Sequence, residues 1–395
     1  MLSEQAAPVI RATLPAVGAA LDEITERFYA GLFAARPELL RDLFNRGNQA
    51  NGDQRRALAG SIAAFAGALL ASPDTRPDVM LSRIAHKHAS LGVTSDQYKV
   101  VHEHLFAAIV DVLGEAVTPE VAQAWDEVYW LMANALISLE AGLYAEKGVA
   151  EGDVRRPMEI VERQQETADT ASFVLCHTDG RPTGSFRPGQ YVSVRVGLPD
   201  GARQIRQYSL SAAPGRSQWR ITVKRVDGDP VGEVSTWLHD HAAVGDTVEV
   251  SAPFGDLVLP EGEGPLLLAS AGIGSTPMLA MLDHLATTGS RRWVTVVHAD
   301  RSPADHAHRS ELHRLVGALP NGSLHLWYEQ PGTTDARPGR ADVSTLDLPA
   351  GVTAYLCGPL PFMRQVRGDL LAGGVAASAV HYEVFGPDLW LGAEN

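Results

Sequence analysis

The sequence predicts a multidomain fold: an all-α section, then an antiparallel β-barrel, then an α/β section built on a parallel sheet. Two observations carry this expectation. Apolar residues recur at helical spacing up to about residue 147 and at alternate positions from about 158, and after Gly264 they form short runs separated by helical stretches. A chain of 395 residues is also too long for one hydrophobic core, and one domain per ~150 residues suggests two or three.

In the first section (1–147), Leu14, Val17, Leu21, Ile24 and Phe28 lie on one helical stripe, and Leu58, Ile62, Phe65 and Leu69 lie on another. The stretch EKGVAEGDVRRP (146–157) breaks that period, and its Gly, Pro and charge content suits a linker, set at 148–157. In the second section (158–262), Val192, Val194 and Val196 alternate, as do Trp219, Ile221 and Val223. Turns at DGRPTG (179–184), AAPG (212–215) and VDGDP (226–230) separate the short strands, as in an antiparallel barrel. In the third section (263–395), LLLAS (266–270), WVTVVH (293–298), LHLWY (324–328) and AYLCG (354–358) read as buried strands alternating with helices.

Composition narrows the function. The 33 Lys and Arg against 47 Asp and Glu give a net charge of −14, which disfavours a nucleic-acid or anionic-membrane surface and favours small-molecule clients. The first residues lack a basic segment followed by an apolar one, and nowhere do 18 apolar residues run together, so a cytoplasmic location is expected. The two cysteines, Cys176 and Cys357, are far apart, which excludes a disulfide framework or a thiolate cluster. Any redox role must rest on a bound cofactor.

The helical section carries polar residues where a core should be dry. Gln54 lies one turn before Leu58 and so faces the interior. In VMLSRIAHKHASLG (79–92), Leu81, Ile84 and His88 are three and four apart, whereas His86 is turned about 200° from His88. Periodicity therefore points His88 inward and His86 outward. Such a histidine can be satisfied by a neighbouring carbonyl, but here Tyr98 begins the stripe Tyr98, Val101, Leu105, Val112. Glu140 edges the stripe Met132, Leu136, Leu139, Leu143, so a phenol and a carboxylate can reach the same interior.

With one inward histidine and a polar residue on another helix, this section resembles a globin. RFYAGLF (27–33), LFNRGNQANGDQRRAL (43–58), HKHASL (86–91), DQYKVVHEHL (96–105) and WLMANALISLEAGLY (130–144) resemble the bacterial flavohaemoglobin (nitric oxide dioxygenase) family. The resemblance implies haem b with His88 as its metal ligand, and Glu140 and Tyr98 holding the other ring nitrogen. It implies Tyr29 and Gln54 as donors to bound dioxygen, Leu58 narrowing access, Phe44 packing the porphyrin, and Lys87 between haem and flavin. Lys87 also reads as a solvated surface lysine.

The later sections carry a second set of motifs. In RQYSL (206–210), placed after a strand-like stretch, Arg206 offers a fork to phosphate, Tyr208 a stacking plane and Ser209 a hydroxyl for a flavin ring; Gln207 lies among them. RPGQYV (187–192), containing Tyr191, comes earlier. GEVSTWLHDH (232–241) places Gly232 and Ser235 before a helix, where Ser235 could hold pyrophosphate or act as a plain cap. SAGIGSTPML (270–279) joins a strand to a helix: Gly272 and Gly274 allow close approach of a phosphate, Thr276 can cap, and Ile273 and Ser275 complete the loop. Pro277 stands where a G-x-G-x-x-G fingerprint needs its third glycine, which disfavours a standard Rossmann dehydrogenase.

The order barrel, RQYS, GIGSTP, YLCGP (355–359), YEVFG (382–386) resembles the ferredoxin reductase family. That implies FAD in the barrel and NADH or NADPH on the parallel sheet. Gly358 and Pro359 would lie near the nicotinamide, with Cys357 by the hydride path or simply a small buried residue. Glu383 would tune the flavin, Phe385 would shield its face, and Val384, Gly386 and Pro387 would complete the segment. For the 2′ position of the dinucleotide, Arg301 could meet a phosphate and Asp300 a hydroxyl. Together the two resemblances imply an NAD(P)H-dependent enzyme oxidising nitric oxide with dioxygen to nitrate, acting on NO, O2 and NAD(P)H without an obligatory protein partner. The readings weighed against it are a reductase of other acceptors and a globin that senses or stores oxygen.

Overall fold

The computed structural model describes residues 2–72 and 77–387; the tail DLWLGAEN (388–395) lies outside them. The chain forms two compact units, one of residues 1–155 with 197–205 and 386–395, the other of 156–196 with 206–385.

Among the described residues the first unit is built on seven α-helices: α1 (Ala6–Ala35), α2 (Pro37–Asp42), α3 (Arg46–Ala50), α4 (Asp53–Ala71), α5 (Asp78–Leu91), α6 (Ser95–Leu113) and α7 (Pro119–Lys147). Helix α1 buries Ile10, Val17, Leu21, Ile24, Phe28 and Leu32, a stripe one or two turns apart, with Leu14 at its edge. Boundaries follow cap chemistry. Thr94 and Gln97 form a reciprocal capping box at the start of α6, and the Thr118 hydroxyl accepts from Val121 N with Pro119 in the first turn of α7. Gly92 ends α5 at a φ of 73°, where a side chain would meet the Gly152 carbonyl at 3.2 Å. The 197–205 segment is anchored to this unit by Gln204, whose buried amide donates to the carbonyls of Leu40, Arg41 and Phe44.

The antiparallel sheet runs β4-β3-β6-β1-β2-β5, from β1 (Arg155–Thr167), β2 (Thr170–His177), β3 (Tyr191–Gly197), β4 (Arg203–Ser209), β5 (Trp219–Lys224) and, after α8 (Glu233–His241), β6 (Thr247–Ser251). Leu210, just past β4, bridges Ile221 of β5, so the two edges of the row meet and the sheet closes as a barrel. Strand β1 begins inside the expected linker because Arg155 is already tied to the Leu91 carbonyl and Met158 and Ile160 alternate inward. The Arg-Gln-Tyr-Ser motif forms the last residues of β4 rather than following a strand.

The parallel sheet runs β10-β9-β8-β7-β11-β12. Its elements are β7 (Leu266–Ala271), α9 (Ser275–Thr287), β8 (Val294–Asp300), α10 (Arg309–Gly317), β9 (Gly322–Tyr328), β10 (Arg337–Pro338), β11 (Thr353–Cys357), α11 (Leu360–Ala372) and β12 (Val380–Glu383). All six residues of β7 are buried, as a strand covered on both faces requires. The order reverses between β7 and β11, and in such sheets ligands bind outside the carboxyl ends of the strands at that switch point. Among the described residues no helix is long and apolar enough to cross a membrane.

Candidate functional site

The helical unit contains a closed polar network. His88 Nδ1 lies 2.9 Å from Glu140 Oε1 and 3.0 Å from the Tyr98 hydroxyl, and Tyr98 itself donates to the same carboxylate oxygen at 2.6 Å. A carboxylate only accepts, so Nδ1 carries the proton and Nε2 keeps its lone pair. Glu140 is 2 % exposed, while the His88 side chain is 32 % exposed among neighbours that are otherwise core. Burial, then the charge of Glu140, hold the Tyr98 phenol far above its ordinary range, so it stays a donor at every working pH. The residues flanking His88 on the inner face of α5 are Leu81, Ala85 and Ala89, all buried, whereas Ile84 is half-buried. His86 is half-buried too.

Tyr29, on α1, is 5 % exposed and packed among Phe28, Phe33 and Phe44, with ring centroids 4.6 to 5.8 Å away. Burial pushes its phenol well above the ordinary range; the neighbouring Gln54 and Gln49 amides, which favour the phenolate, pull the other way. Tyr29, Gln54 and Phe44 are thus brought together, with Leu58 half-buried one turn along α4. Gln49 and Gln204 escaped the sequence reading: one sits in a polar stretch without periodicity, the other on a hairpin whose contacts are remote in sequence. Lys87 Nζ donates to the Gly386 carbonyl at 2.9 Å, so it is held within this unit, which also contains the buried Pro387.

These residues fit a haem. A histidine with its proton fixed on Nδ1 presents Nε2 as a metal donor, and Tyr29 and Gln54 offer a phenol and an amide, which suit a polar diatomic ligand.

In the second unit, Ser209 is 3 % exposed and its hydroxyl has no hydrogen-bond partner among the described residues. Tyr208 is half-buried, and burial holds its phenol above the usual range. Gln207 donates to Ser193 Oγ at 3.1 Å, and Tyr191, at the start of β3, is buried. The Arg206 guanidinium faces Glu233, at the first turn of α8, at 3.7 Å. Ser235 corrects its expectation: it lies inside the first turn of α8, and Gly232 occupies the capping position. Its hydroxyl donates to the Gly232 carbonyl and accepts from Val226 N, and a Cβ on Gly232 would meet that hydroxyl at 2.6 Å. Ser235 therefore locks the loop that presents the helix, in place of acting as a plain cap. The unsatisfied Ser209 hydroxyl next to the half-buried Tyr208 is what a flavin would complete, since a buried hydroxyl without a partner is costly.

The crest of the parallel sheet gathers the remaining motifs. Gly272 turns at a φ of 53°, Gly272–Gly274 forms one tight turn, and α9 starts at Ser275. Gly274 also has a structural reason to lack a side chain: a Cβ there would stand 2.4 Å from the Cys357 carbonyl oxygen, so the glycine lets the loops after β7 and β11 meet. Thr276 Oγ1 donates to the Ile273 carbonyl, capping the turn, and Pro277 is buried within the first turn of α9. The buried Ser275 hydroxyl, at that helix N-terminus, has no partner among the described residues, which fits a phosphate acceptor.

Cys357 pairs with Glu383 across β11 and β12; burial first, then the charge of Glu383, raise its thiol, so it is no thiolate nucleophile. Gly358 and Pro359 lead into α11, Val384 N donates to Glu383 Oε1, and Phe385 is 48 % exposed. Asp300 closes β8 with Arg301 just beyond it.

Three family models match the chain: Globin over residues 26–136, Oxidoreductase FAD-binding domain over 157–258, and Oxidoreductase NAD-binding domain over 268–368. A flavohemoprotein of Chromobacterium violaceum is 42 % identical over 402 residues, covering 98 % of each chain, and one of Bordetella pertussis is 41 % identical over 404, covering 98 % of this chain and 99 % of its own. Among solved structures, the flavohemoglobin from Malassezia yamatoensis with bound FAD and heme aligns with a TM-score of 0.91 at 41 % identity, over 98 % of this chain and 100 % of that one. The flavohem-like FAD/NAD binding domain of nitric oxide dioxygenase from Vibrio cholerae aligns with a TM-score of 0.56 at 40 % identity, over 59 % of this chain and 99 % of its own.

Proposed function

This chain belongs to the flavohemoprotein family, and from that premise we propose that it is an NAD(P)H-dependent nitric oxide dioxygenase, converting nitric oxide and dioxygen to nitrate. The observation that carries the reading is the double hold on His88 Nδ1 by Glu140 and Tyr98. A carboxylate behind a metal-ligating histidine raises its basicity, which favours oxygen chemistry over reversible carriage.

When bound, haem supplies the iron at which the two gases combine, and FAD supplies the conversion of a dinucleotide's electron pair into single electrons. His88 Nε2 is the proposed iron ligand. Tyr98 keeps its proton and shares the Glu140 oxygen, so the imidazole is fixed in tautomer and in orientation. Tyr29, protonated because it is buried, would donate from the opposite side with Gln54, Leu58 would narrow entry, and Phe44 would pack against the porphyrin. Arg206, Tyr208 and Ser209 would hold the flavin, with Tyr191, Gln207 and the Gly232–Ser235 turn shaping its cradle. The Gly272–Pro277 turn would take the pyrophosphate of the dinucleotide, and Cys357, Gly358 and Pro359 its nicotinamide end. Glu383 and the segment from Val384 to Pro387 would border the flavin, and Lys87 is tied to that segment through Gly386.

Within this reading the borders are 1–147 for the haem domain, 148–157 for the linker, 158–262 for the flavin barrel and 263–395 for the nucleotide domain. The enzyme is cytoplasmic, its clients are small molecules, and it needs no protein, membrane or nucleic-acid partner. The test is consumption of nitric oxide by the holoenzyme with NADH and air, followed with an electrode and with nitrate analysis. One nitrate per nitric oxide, dependent on both NADH and dioxygen, is expected; nitrous oxide as the main product in air, or no consumption by an enzyme carrying both cofactors, would overturn the reading.

A further inference from the structure

On the reading above, the pyrophosphate sits over the turn after β7, and a dinucleotide laid across the crest extends one half toward β11 and the other toward β8. Ala271 and Ala299 are register partners, so Asp300 and Arg301 stand about one strand spacing, ~4.8 Å, from the start of that turn. The Asp300 side chain is 5 % exposed and faces His298 Nε2 at 3.6 Å, so the exposed Arg301 is the group of this pair that an adenosine ribose would meet first. In doubly wound sheets an acid here accepts from the ribose 2′-hydroxyl, and an arginine here takes the 2′-phosphate of the phosphorylated dinucleotide.

This chain has both, and the structure distinguishes their states. The Arg301 guanidinium, 60 % exposed, lies 2.5 Å from Asp305 Oδ1 and 3.5 Å from Asp169 Oδ2. Asp305 is itself held by the Ser302 hydroxyl, and Asp169 by Thr167, Thr170 and Lys224. The loop is pinned at its base as well, since Arg301 N donates to Asp300 Oδ1 and Gln330 N donates to the Arg301 carbonyl. Arg337, on the edge strand β10, lies over the Trp327 ring at 4.7 Å and donates to Thr345. The Arg301 guanidinium is thus turned onto two carboxylates, and a dianionic 2′-phosphate would have to displace them to reach it.

We propose that Asp305, assisted by Asp169, withholds Arg301 from the dinucleotide and so makes this chain select NADH against NADPH. The proposal rests on the assignment of the crest as a dinucleotide site. It makes Asp305 and Asp169 specificity-determining residues that touch neither flavin nor haem.

The test is calorimetric binding of ADP-ribose and of 2′-phospho-ADP-ribose to the holoenzyme, which needs no turnover. Wild type should bind ADP-ribose at least about tenfold more tightly, a difference of ~1.4 kcal/mol. Asp305→Asn should shrink that gap severalfold by tightening the phosphorylated ligand alone, Asp169→Asn should do so less, and the gain should vanish when Arg301→Ala is added. Equal affinities in wild type, an unchanged gap in Asp305→Asn, or a gain that survives loss of Arg301 would each overturn the proposal. If ADP-ribose binds with the expected selectivity while NADH fails to reduce the flavin, the enzymatic reading falls and the selectivity stands.

Discussion

The surroundings of His88 in the helical unit and two serines of the second unit, Ser209 in the barrel and Ser275 at the crest of the parallel sheet, solve the same problem, buried polar groups, in opposite ways. At His88 Nδ1 the polar partners are supplied by the protein: one carboxylate oxygen accepts from both an imidazole and a phenol. Around Ser209 and Ser275 buried hydroxyls are left without partners among the described residues, at places where a flavin and a phosphate are proposed to sit. The first arrangement fixes a donor's direction before any ligand arrives, and truncating it breaks a network. The second reserves its hydrogen bonds for the ligand, so truncating it should cost binding and leave folding intact.

The largest expected effect separates the two histidines of α5. His88→Ala should lose the haem absorption band and nitric oxide consumption by more than the ~10–100-fold typical of losing a residue that merely supports a metal ligand. His86→Ala should keep both. Absorption spectra of the two purified variants, with flavin as internal reference, check this; the reverse assignment of phenotypes would remove His88 from the iron.

Tyr29→Phe comes next. A hydrogen bond to a charged group contributes ~1.5–3 kcal/mol, so dioxygen should dissociate roughly ten- to a hundredfold faster. Flavin reduction by NADH, which depends on the other unit, should hardly change. Stopped-flow measurement of both rates is the check, and an unchanged off-rate would leave Gln54 as the distal donor.

The contrast between networks sharpens with Ser209→Ala set against Glu140→Leu. Removing the serine hydroxyl should weaken FAD binding about two- to tenfold, the range of one ordinary hydrogen bond, with no loss of melting temperature. Glu140→Leu leaves a buried phenol and an imidazole without their shared acceptor, and should lower both haem retention and melting temperature. Flavin titration of the apoprotein alongside thermal melts tests the pair; a destabilised Ser209→Ala would show that its hydroxyl serves the fold.

Much of this was legible in the sequence. The switch from a helical period to alternation, and then to buried runs, marks the change from helices to barrel to parallel sheet, because burial on one stripe, one face or two faces imposes those patterns directly. His88 was readable from its spacing to Leu81. What was not readable rests on contacts between residues far apart: Gln204 gripping three carbonyls of the α2 region, Gly274 making way for the Cys357 carbonyl, and Asp169 reaching Arg301. Ser235 was misplaced by one turn because Gly232, which has no side chain to signal a cap, takes the capping position.

The smallest effect concerns pH. Burial alone would raise the Glu311 carboxyl, but the hydrogen bond from His308 and the Arg220 guanidinium outweigh it and hold it down at about 2, against an ordinary value of 4.5. A carboxyl lowered on folding stabilises fully above its unfolded value, and that contribution disappears as pH falls toward the folded one. Glu311→Gln should therefore melt roughly 2–4 °C below wild type at neutral pH, the scale of about one kcal/mol in a unit of this size, and the two should converge between pH 4.5 and 2. A difference that is constant with pH would mean packing, and not charge, is what Glu311 provides.

The central claim is that electrons from the dinucleotide reach the haem through the flavin. Anaerobic stopped-flow mixing of the holoenzyme with NADH, recorded at the flavin and haem bands together, tests it most directly. Bleaching of the flavin band followed by the shift to ferrous haem is expected, with the second phase missing from protein stripped of FAD. Haem reduction at an equal rate without FAD, or a fully reduced flavin beside haem that stays ferric, would contradict it.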